Sequence, residues 1–588
     1  MQNETRQCQN CKKDFTIESE DFNFYEKIKV PPPTFCPTCR AERRFCWRNE
    51  RKLFKSVNAF TGKEIFSLYP AGSDRKSVTR EEWFGDSWDA MDYGIDYDFS
   101  KNIFFQLIEL SKNIPAASLR VQLTENSPYC ANATGLKNCH LCFNSTYSED
   151  CMYSNAADFS KDSMDCSHIK KCERCYEGFW LQGCYQCYFS ITSTESRNLW
   201  FCRDCLDCSD CFGCVNLRKS SYCIFNKQYN KEEYQNKINE MQLDTTEGLN
   251  IARNKSREFW NTQINKYNQG LKNLNSTGAY VTNCKNVQES FLVRDSENMK
   301  YCQLLQIPTS KDCYDCTAWG ANMELDYEDC LCGDHSYNVK FSSNCWPACK
   351  DIEYSMDLVN CSDCFGCVGL KKKQYCILNK QYEKEEYFKM VGKIRKHMDE
   401  MPYIDKQGHI YKHGEFFPIE LSPFGYNNSM AIQYFNLEMN KNEADKRGYP
   451  WIEIPHGEYK ITLQNNKLPN SFNKINDDIL KEVIECSVCK NAYRILENEL
   501  NFYKKEKLPL PNICHECRFQ RRISDRLKIQ LYNRKCMCNG LKDETGKYVN
   551  TVKHVHGDLD CGEKFKTGYD PDSNQIIYCE KCYQQEVY

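Results

Sequence analysis

The pattern of apolar and polar residues separates the middle of the chain from the segments around it. From residue 130 to 223 and again from 284 to 376, Cys residues alternate with short segments rich in Tyr, Phe, Ser, Asn and Asp, such as NCHLCFNSTYSEDCMYSN at 138–155. These segments lack the apolar period of a helix, and Asn, Asp, Ser and Gly recur at short intervals. This pattern is typical of many short strands joined by tight turns. The sequence therefore predicts a mainly β protein with a few helices.

Two charged segments do show helical periodicity. KEEYQNKINEMQ at 231–242 and KEEYFKMVGKIRKHMDEM at 384–401 place apolar residues three to four positions apart. Each lies at the end of one copy of an internal duplication, in which residues 208–234 match residues 361–387 at 21 of 27 positions. The Cys-rich middle is therefore predicted to consist of two related units.

The two ends of the chain are also related to each other. CQNC at 8–11 and CPTCR at 36–40 recur as CSVC at 486–489 and CHECR at 514–518, at a constant offset of 478 residues. The same offset aligns Asn23-Phe24-Tyr25 with Asn501-Phe502-Tyr503. It also aligns three basic residues that follow each second CxxC pair: Arg40, Arg43 and Arg44 with Arg518, Arg521 and Arg522.

Composition narrows the class of protein. The 588 residues are enough for several domains, and 27% charged with 13% aromatic residues argue against a disordered or collagen-like chain. No apolar stretch is long enough for a membrane helix, and the N-terminus lacks the features of a secretory signal. Cys is a main building material, with 41 residues, an odd number. Because disulfides are rare in reducing compartments, we expect metal ligands and buried thiols in a cytoplasmic protein with no membrane partner.

The two CxxC pairs at each end predict a zinc site. Two such turns bring four thiolates together in a closed tetrahedral shell, which leaves no open position for catalysis. Iron fits the same all-sulfur shell. The N-terminal pairs are joined by FTIESEDFNFYEKIKV, for which we expect a short hairpin. The predicted ligands are Cys8, Cys11, Cys36 and Cys39, and then Cys486, Cys489, Cys514 and Cys517.

Both ends resemble the zinc-ribbon domains of many bacterial proteins. Those domains carry a CxxC pair, an aromatic-rich hairpin and a CPxCR turn followed by basic residues. Cys36, Pro37, Cys39 and Arg40 match that turn, whereas His515 stands where the second copy would have Pro. The resemblance covers about 50 residues at each end, and it implies a metal and a local fold rather than an activity.

The C-terminus predicts a third metal site. Cys561 and the pair Cys579 and Cys582 supply three thiols, and His556 is the predicted fourth ligand. The segment resembles small zinc domains with two CxxC pairs, but Asp558 stands where the first Cys of such a pair would be. The other candidates for the fourth ligand are therefore His554, Asp558, Cys536 and Cys538. A set of buried thiols without metal is the alternative. In total we expect two to three Zn²⁺ ions.

Three alternative structures are possible for the Cys-rich middle. In a parallel β-solenoid, small buried side chains would stack from one turn to the next, and free Cys suits such a column. Further zinc sites are the second possibility. Iron–sulfur ligation is the third, because Cys202 to Cys214 repeat every third residue, but the ferredoxin spacing with its final Pro is missing. We favour a β-solenoid of two units flanked by zinc-ribbon modules.

The middle also resembles a group of uncharacterised Cys-rich bacterial proteins. They combine the CSDCFGC…YCI.NKQY.KEEY signature with terminal zinc ribbons, a similarity that covers most of the chain and brings no activity with it.

The chain is expected to divide into eight segments. In order, they are a zinc ribbon with a basic tail, an aromatic-rich connection, repeat unit 1, a helical linker, repeat unit 2, a linker with local structure, a second zinc ribbon and a C-terminal zinc module. Their predicted ranges are 1–55, 56–129, 130–240, 241–283, 284–400, 401–480, 481–535 and 536–588.

Two classes of function follow. No HExxH, GxSxG, P-loop or GxGxxG motif is present, so we expect no enzyme but a zinc-binding scaffold with an unidentified protein partner. The alternative is binding of RNA or single-stranded DNA through the six aligned arginines, which would contact phosphates. A net charge of −3 instead suggests arginines paired with acids, for example those at 81–98. The oligomeric state is open.

Overall fold

The computed structural model describes residues 2–70, 72–454, 459–538, 550–557, 559 and 561–588, apart from the side chain of Trp319. The described chain is mainly β with a few helices, as predicted. Its α-helices are Ser19–Lys27, Pro37–Phe45, Arg80–Phe84, Ile103–Asn113, Lys231–Glu240, Thr246–Asn261, Lys384–Glu400, Met430–Tyr434, Lys441–Lys446, Glu497–Glu506, His515–Ser524 and Glu580–Val587. Short 3-10 helices are Ala90–Tyr93, Ile419–Leu421, Tyr426–Asn428, Asn465–Lys467, Phe472–Lys474 and Asp477–Lys481.

Residues 121–228 form a run of parallel pairings that we call the first ladder. Each paired residue lies opposite a residue twelve positions further on, as Tyr185 lies opposite Arg197 and Arg197 opposite Ser209. Single bridges such as Thr134 with Thr146 continue the same register between the longer strands. The strands are Val121–Gln122, Ala133–Thr134, Asn155–Asp158, Ser167–Lys170, Tyr185–Tyr188, Arg197–Trp200, Ser209–Phe212, Ser221–Ile224 and the antiparallel Lys227–Gln228.

A three-residue unit builds this ladder. In each unit the first residue is a buried one, the second makes the parallel bridge, and the third has a left-handed backbone, as in Cys142, Phe143 and Asn144. Four such units separate a residue from its partner twelve positions on. Small residues therefore fall in columns, and one column reads Cys142, Ser154, Cys166, Gly178, Ser190, Cys202. Asn and Asp, which tolerate the left-handed region, recur at the third position.

Residues 278–381 form the second ladder, whose register is less even. Its offsets run from twelve, as in Ser362 with Gln374, to fourteen, as in Lys300 with Tyr314. The strands are Gly278–Thr282, Lys285–Gln288, Ser290–Arg294, Ser296–Lys300, Gln303–Ile307, Ser310–Lys311, Tyr314–Gly320, Met323–Glu324, Tyr327–Cys330, Tyr337–Lys340, Lys350–Glu353, Ser362–Phe365, Gln374–Ile377 and the antiparallel Lys380–Gln381.

The two duplicated segments end alike. Each ladder closes with a short antiparallel strand, and the predicted charged helix follows: Lys231–Glu240 after the first ladder and Lys384–Glu400 after the second. Tyr234 and Tyr387 are the buried anchors of these helices. Each lies 5.8 Å, between ring centroids, from a tyrosine twelve residues earlier.

Short two-stranded sheets make up the remainder of the β-structure. The predicted hairpin through residues 15–30 was misplaced: the N-terminal hairpin pairs Glu4–Gln7 with Asp14–Ile17, and a helix begins at Ser19. A capping box between Glu18 and Asp21 starts that helix, so the segment turns helical after Ile17. The other pairs are Phe54–Val57 with Glu64–Ser67, Lys76–Val78 with Pro115–Ala117, Asn265–Lys266 with Ile577–Tyr578, Tyr403–Ile404 with Ile410–Tyr411, Ile484–Glu485 with Ala492–Tyr493, and Tyr532–Lys535 with Lys564–Thr567.

Within the residues that the structure describes, none of the helices combines the length and the apolar character that crossing a bilayer requires.

Candidate metal centres

The first candidate centre lies in residues 4–45, which we call the N-terminal CxxC module. Cys8 and Cys11 lie at the turn of the first hairpin, and Cys36 precedes the helix that contains Cys39. The four Sγ atoms lie within 4.8 Å of one another, and those of Cys11 and Cys36 are 3.8 Å apart. The backbone N–H of Cys36 also donates to Sγ of Cys8 over 3.2 Å. The four predicted ligands of this module are therefore brought together.

Residues 484–524, the second CxxC module, repeat this arrangement. Cys486, Cys489, Cys514 and Cys517 form a second group of four thiols within 4.8 Å. Sγ–Sγ distances are 3.7 Å for Cys486 with Cys517 and for Cys489 with Cys514. Burial acts to raise the pKa of Cys486, but backbone N–H groups of Cys514 and Cys489 lower it to about 7. This shift favours the thiolate at Cys486, whereas burial raises the pKa of Cys514 and Cys517.

The spacing of these sulfur atoms fits a shared ion better than a disulfide. A disulfide holds its sulfurs about 2.05 Å apart. Four thiolates at about 2.3 Å from a central Zn²⁺ lie about 3.8 Å from one another in a tetrahedron. The Sγ–Sγ distances of 3.7 and 3.8 Å in the two modules agree with that edge. Both groups can therefore hold a metal ion without rearrangement.

The third centre, in residues 532–588, differs from the prediction in one ligand. Cys561, Cys579 and Cys582 do converge, but the fourth donor within 4.8 Å is Cys536 and not His556. Cys536 is one residue past the strand Tyr532–Lys535, and its Sγ accepts the backbone N–H of Cys579 over 3.2 Å. The hairpin with Lys564–Thr567 brings this Cys close to Cys561. The alternative ligand Asp558 lies outside the described residues.

A second donor set adjoins this tetrathiolate group. Cys538, His554, His556 and Cys582 also lie within 4.8 Å of one another, so Cys582 belongs to both sets. Sequence spacing did not separate these donors, because five Cys and two His residues fall within 47 positions without a repeated pattern.

The ladder cysteines have a different environment. Most of these thiols donate to one or two backbone carbonyls of their own ladder: Sγ of Cys184 lies 3.5 Å from the oxygen of Gln182 and 3.4 Å from that of Ser193. All fifteen cysteines from Cys130 to Cys223 are buried free thiols. In the described part of the chain, no group of three or more potential ligands within 4.8 Å includes a ladder cysteine. Their CxxC spacing alone therefore does not create a converging donor set.

The arginines that were candidates for nucleic-acid contacts are turned inward at the N-terminal module. Arg40, Arg43 and Arg44 are at most 1% exposed. They contact two acids of the second ladder: Arg40 lies 2.6 Å from Asp315, and Arg43 and Arg44 lie 2.8 and 3.1 Å from Glu328. These guanidinium groups are thus unavailable to phosphates, and they clamp the module to the ladder.

The second module uses its arginines in the same way. Arg518 and Arg522 are buried and lie 2.7 and 3.0 Å from Asp165, while the partly exposed Arg521 lies 2.5 Å from Glu177. The acids belong to the first ladder, so each module docks on a different ladder. All six arginines that were candidate phosphate contacts are therefore paired with ladder acids, and five of them are buried. The suggestion that acids at 81–98 pair with these arginines was wrong, because ladder acids take that place.

The acids that receive the arginines occupy equivalent places in the two ladders. Asp165 and Glu177 are twelve residues apart, and Asp315 and Glu328 are thirteen apart. All four have a left-handed backbone, with φ between 48° and 55°. They therefore occupy the third position of the three-residue unit, on neighbouring turns. The sequence signal was present as Asp and Glu at one register, but only the pairing identifies their partners.

Comparisons with known proteins add little. No family model and no curated protein sequence matches the chain. Among solved structures, one match is a protein from Desulfovibrio desulfuricans G20 named as an acetyltransferase, with 9% identity, 49% of this chain and 86% of that chain covered, and a TM-score of 0.10. At that score the match carries no argument about fold or activity. The features of this chain define a Cys-rich protein with several CxxC-type groups of four thiols that are compatible with zinc ribbons.

Proposed function

We propose that this protein is a non-enzymatic, zinc-dependent scaffold that works in the cytoplasm and presents its surface to a protein partner. The observation that carries the proposal is the convergence of three groups of four thiols, at Cys8, Cys486 and Cys536 and their partners, at the ends of the chain. Closed four-thiolate shells stabilise a fold and offer no open coordination position for a substrate. Zinc is the ion that such shells most commonly hold in small modules.

The two ladders are, in this proposal, two β-solenoids. The constant parallel register of twelve residues in the first ladder is what stacked turns of equal length produce, and the offsets of twelve to fourteen in the second fit turns of slightly different length. The buried columns consist mainly of Cys, Ser and Gly with a few Leu and Ile residues, and such small side chains suit a narrow, closely packed interior. Solenoids have long surfaces on which partners dock, which is why we assign a scaffold role.

The CxxC modules fix the ladders in place. Each module buries a row of arginines against a pair of ladder acids, and an aromatic contact accompanies each row: Phe24 stacks on Tyr314 at 4.0 Å, and Phe502 lies 5.8 Å from Tyr176. Zinc would hold the helix that carries the arginines in the geometry that these contacts need. Metal binding is thereby coupled to the joint between modules and ladders.

Metal analysis of the intact chain tests this proposal. Native mass spectrometry with elemental analysis should find at least one zinc for each of the three tetrathiolate groups. Thiol labelling under native conditions should leave the ladder cysteines unreacted. After a strong chelator is added, the additional reactive thiols should be those of the three groups, beginning with Cys11 and Cys489, which are exposed. A metal-free native protein, or native labelling of most ladder thiols, would refute the proposal.

A further inference from the structure

The donor set formed by Cys538, His554, His556 and Cys582 has a geometry of its own beside the third tetrathiolate group. Nε2 of His556 lies 3.3 Å from Sγ of Cys538 and 3.5 Å from Sγ of Cys582. Sγ of Cys538 lies 3.1 Å from Sγ of Cys582, well beyond a disulfide bond. The two N–S separations are close to the edge of about 3.5 Å in a tetrahedron of N and S donors around one Zn²⁺, whereas the S–S separation is shorter than its edge of about 3.8 Å.

Both imidazoles are oriented as metal ligands are. Nδ1 of His556 lies 2.7 Å from the carbonyl oxygen of Leu559, and a carbonyl can only accept. The proton is therefore on Nδ1, and the lone pair of Nε2 faces the two sulfurs. Nε2 of His554 lies 2.9 Å from Glu586, a carboxylate that fixes the ring from behind. Metal-binding histidines commonly bond a carbonyl or carboxylate through the second nitrogen in this way.

The Nδ1 atom of His554 is a further feature that points to a bound ligand. The His554 side chain is fully buried, and among the described residues its Nδ1 has no hydrogen-bond partner. A buried polar atom without a partner is costly, which suggests that a ligand satisfies it. With Nε2 engaged by Glu586, Nδ1 is the nitrogen that His554 offers to the three other donors.

We infer that the C-terminal module holds two Zn²⁺ ions that share the thiolate of Cys582. One ion has Cys536, Cys561, Cys579 and Cys582 as ligands, and the other has Cys538, His554, His556 and Cys582. This inference rests on the proposed zinc-binding function and extends it from three ions to four.

Charge supports the second ion. A single Zn²⁺ among four thiolates leaves a net formal charge of −2, and the thiol of Cys538 lies directly beside it. Two Zn²⁺ ions among five thiolates and two neutral imidazoles leave a net formal charge of −1. The second ion thus allows the buried thiol of Cys538 to ionise with less accumulated negative charge.

The zinc content of full-length variants tests the inference. The wild-type chain should hold four Zn²⁺ ions by native mass spectrometry. Cys538→Ser and His556→Ala should each hold three, and Cys582→Ser should hold two because it removes the shared ligand. Cys166→Ser, which changes a ladder thiol outside the donor sets, is the matched control and should hold four.

X-ray absorption at the zinc edge gives a readout that needs no variant. Two ions that share one thiolate lie less than about 4.6 Å apart, twice the Zn–S distance. The wild-type spectrum should therefore contain a zinc–zinc scattering path, and Cys538→Ser should lose it. Three zinc ions in the wild type, with no such path and no change in Cys538→Ser, would overturn the shared site and leave the proposed function standing. A wild-type chain without zinc would overturn both.

Discussion

Cysteine pairs with the same CxxC spacing have two different environments in this molecule. In the N-terminal module, Cys8 and Cys11 point to a common centre with two more thiols. In the first ladder, Cys172 and Cys175 lie on successive three-residue units, and their thiols donate to nearby carbonyls. The difference lies in the backbone between the two cysteines. A hairpin turn brings two thiols together with two more at one centre, whereas the ladder places them on successive three-residue units, where no such group of four forms among the described residues.

A CxxC spacing therefore predicts a metal site only together with the local fold. The ladder columns accept Cys, Ser and Gly in the same place, so a thiol serves there as a small buried group. The modules have no such tolerance, because a metal shell requires four thiolates. A pair of matched substitutions, Cys36→Ser and Cys166→Ser, separates these two roles.

The largest effect is expected from Cys36→Ser in the N-terminal module. Loss of one thiolate should release its zinc and unfold residues 4–45, since structural zinc contributes about 10–16 kcal/mol of apparent free energy in small domains. The matched change in the ladder is Cys166→Ser. Its thiol lies 3.4 Å from the oxygen of Met164, and Ser154, one turn earlier, donates to Met152 in the same way. Zinc content and circular dichroism should change only in the first variant. Equal zinc loss in both variants would show that the ladder thiol and the module thiol do not differ in their role.

The second-largest effect is expected at the contact between the N-terminal module and the second ladder. Glu328 receives Arg40, Arg43 and Arg44, and burial raises its pKa although these arginines act to lower it. Glu328→Gln removes the charge and leaves the arginines undercompensated in the interior, at a cost of about 3–5 kcal/mol. Hydrogen exchange of the helix Pro37–Phe45 should become faster.

An exposed acid supplies the control for that joint. Glu149→Gln alters a surface pair with Lys161 and should leave exchange of the same helix unchanged. Unaltered exchange in Glu328→Gln as well would mean that the arginine clamp does not hold the module.

The smallest effect concerns charge inside the second ladder. Burial raises the pKa of Asp326 to about 7, while Ser336 and the backbone N–H of Val339 donate to it. The unfolded carboxyl ionises near pH 3.9, so this group contributes a stability that is lost as the pH rises from about 4 to about 7. Asp326→Asn should therefore stabilise the protein at pH 8 by at least about 1 kcal/mol, since one pKa unit is worth about 1.4 kcal/mol.

Denaturant unfolding at two pH values measures that last effect. The gain from Asp326→Asn should be smaller at pH 5 than at pH 8. A gain that is equal at both pH values would show that the carboxylate is not held in its neutral form by the ladder interior.

Local sequence determined a large part of this protein. The CxxC pairs at both ends, the mainly β middle and the two charged helices were all predicted, because each depends on neighbours within a few residues. The hairpin expected after Phe15 was wrong, since the capping box at Glu18 starts a helix there. That signal is local too, and it was missed because the segment between the CxxC pairs was interpreted as a hairpin.

Tertiary structure decided what lies opposite each group. Cys536 completes the third tetrathiolate in place of His556 because a hairpin joins Tyr532–Lys535 to Lys564–Thr567. The arginine rows turn inward because acids at a matching register meet them from 271 or more positions away. A row of arginines has the same spacing on a surface as in an interface, and only the position of the opposing charge distinguishes them. Long-range pairing is therefore the information that the sequence alone did not supply.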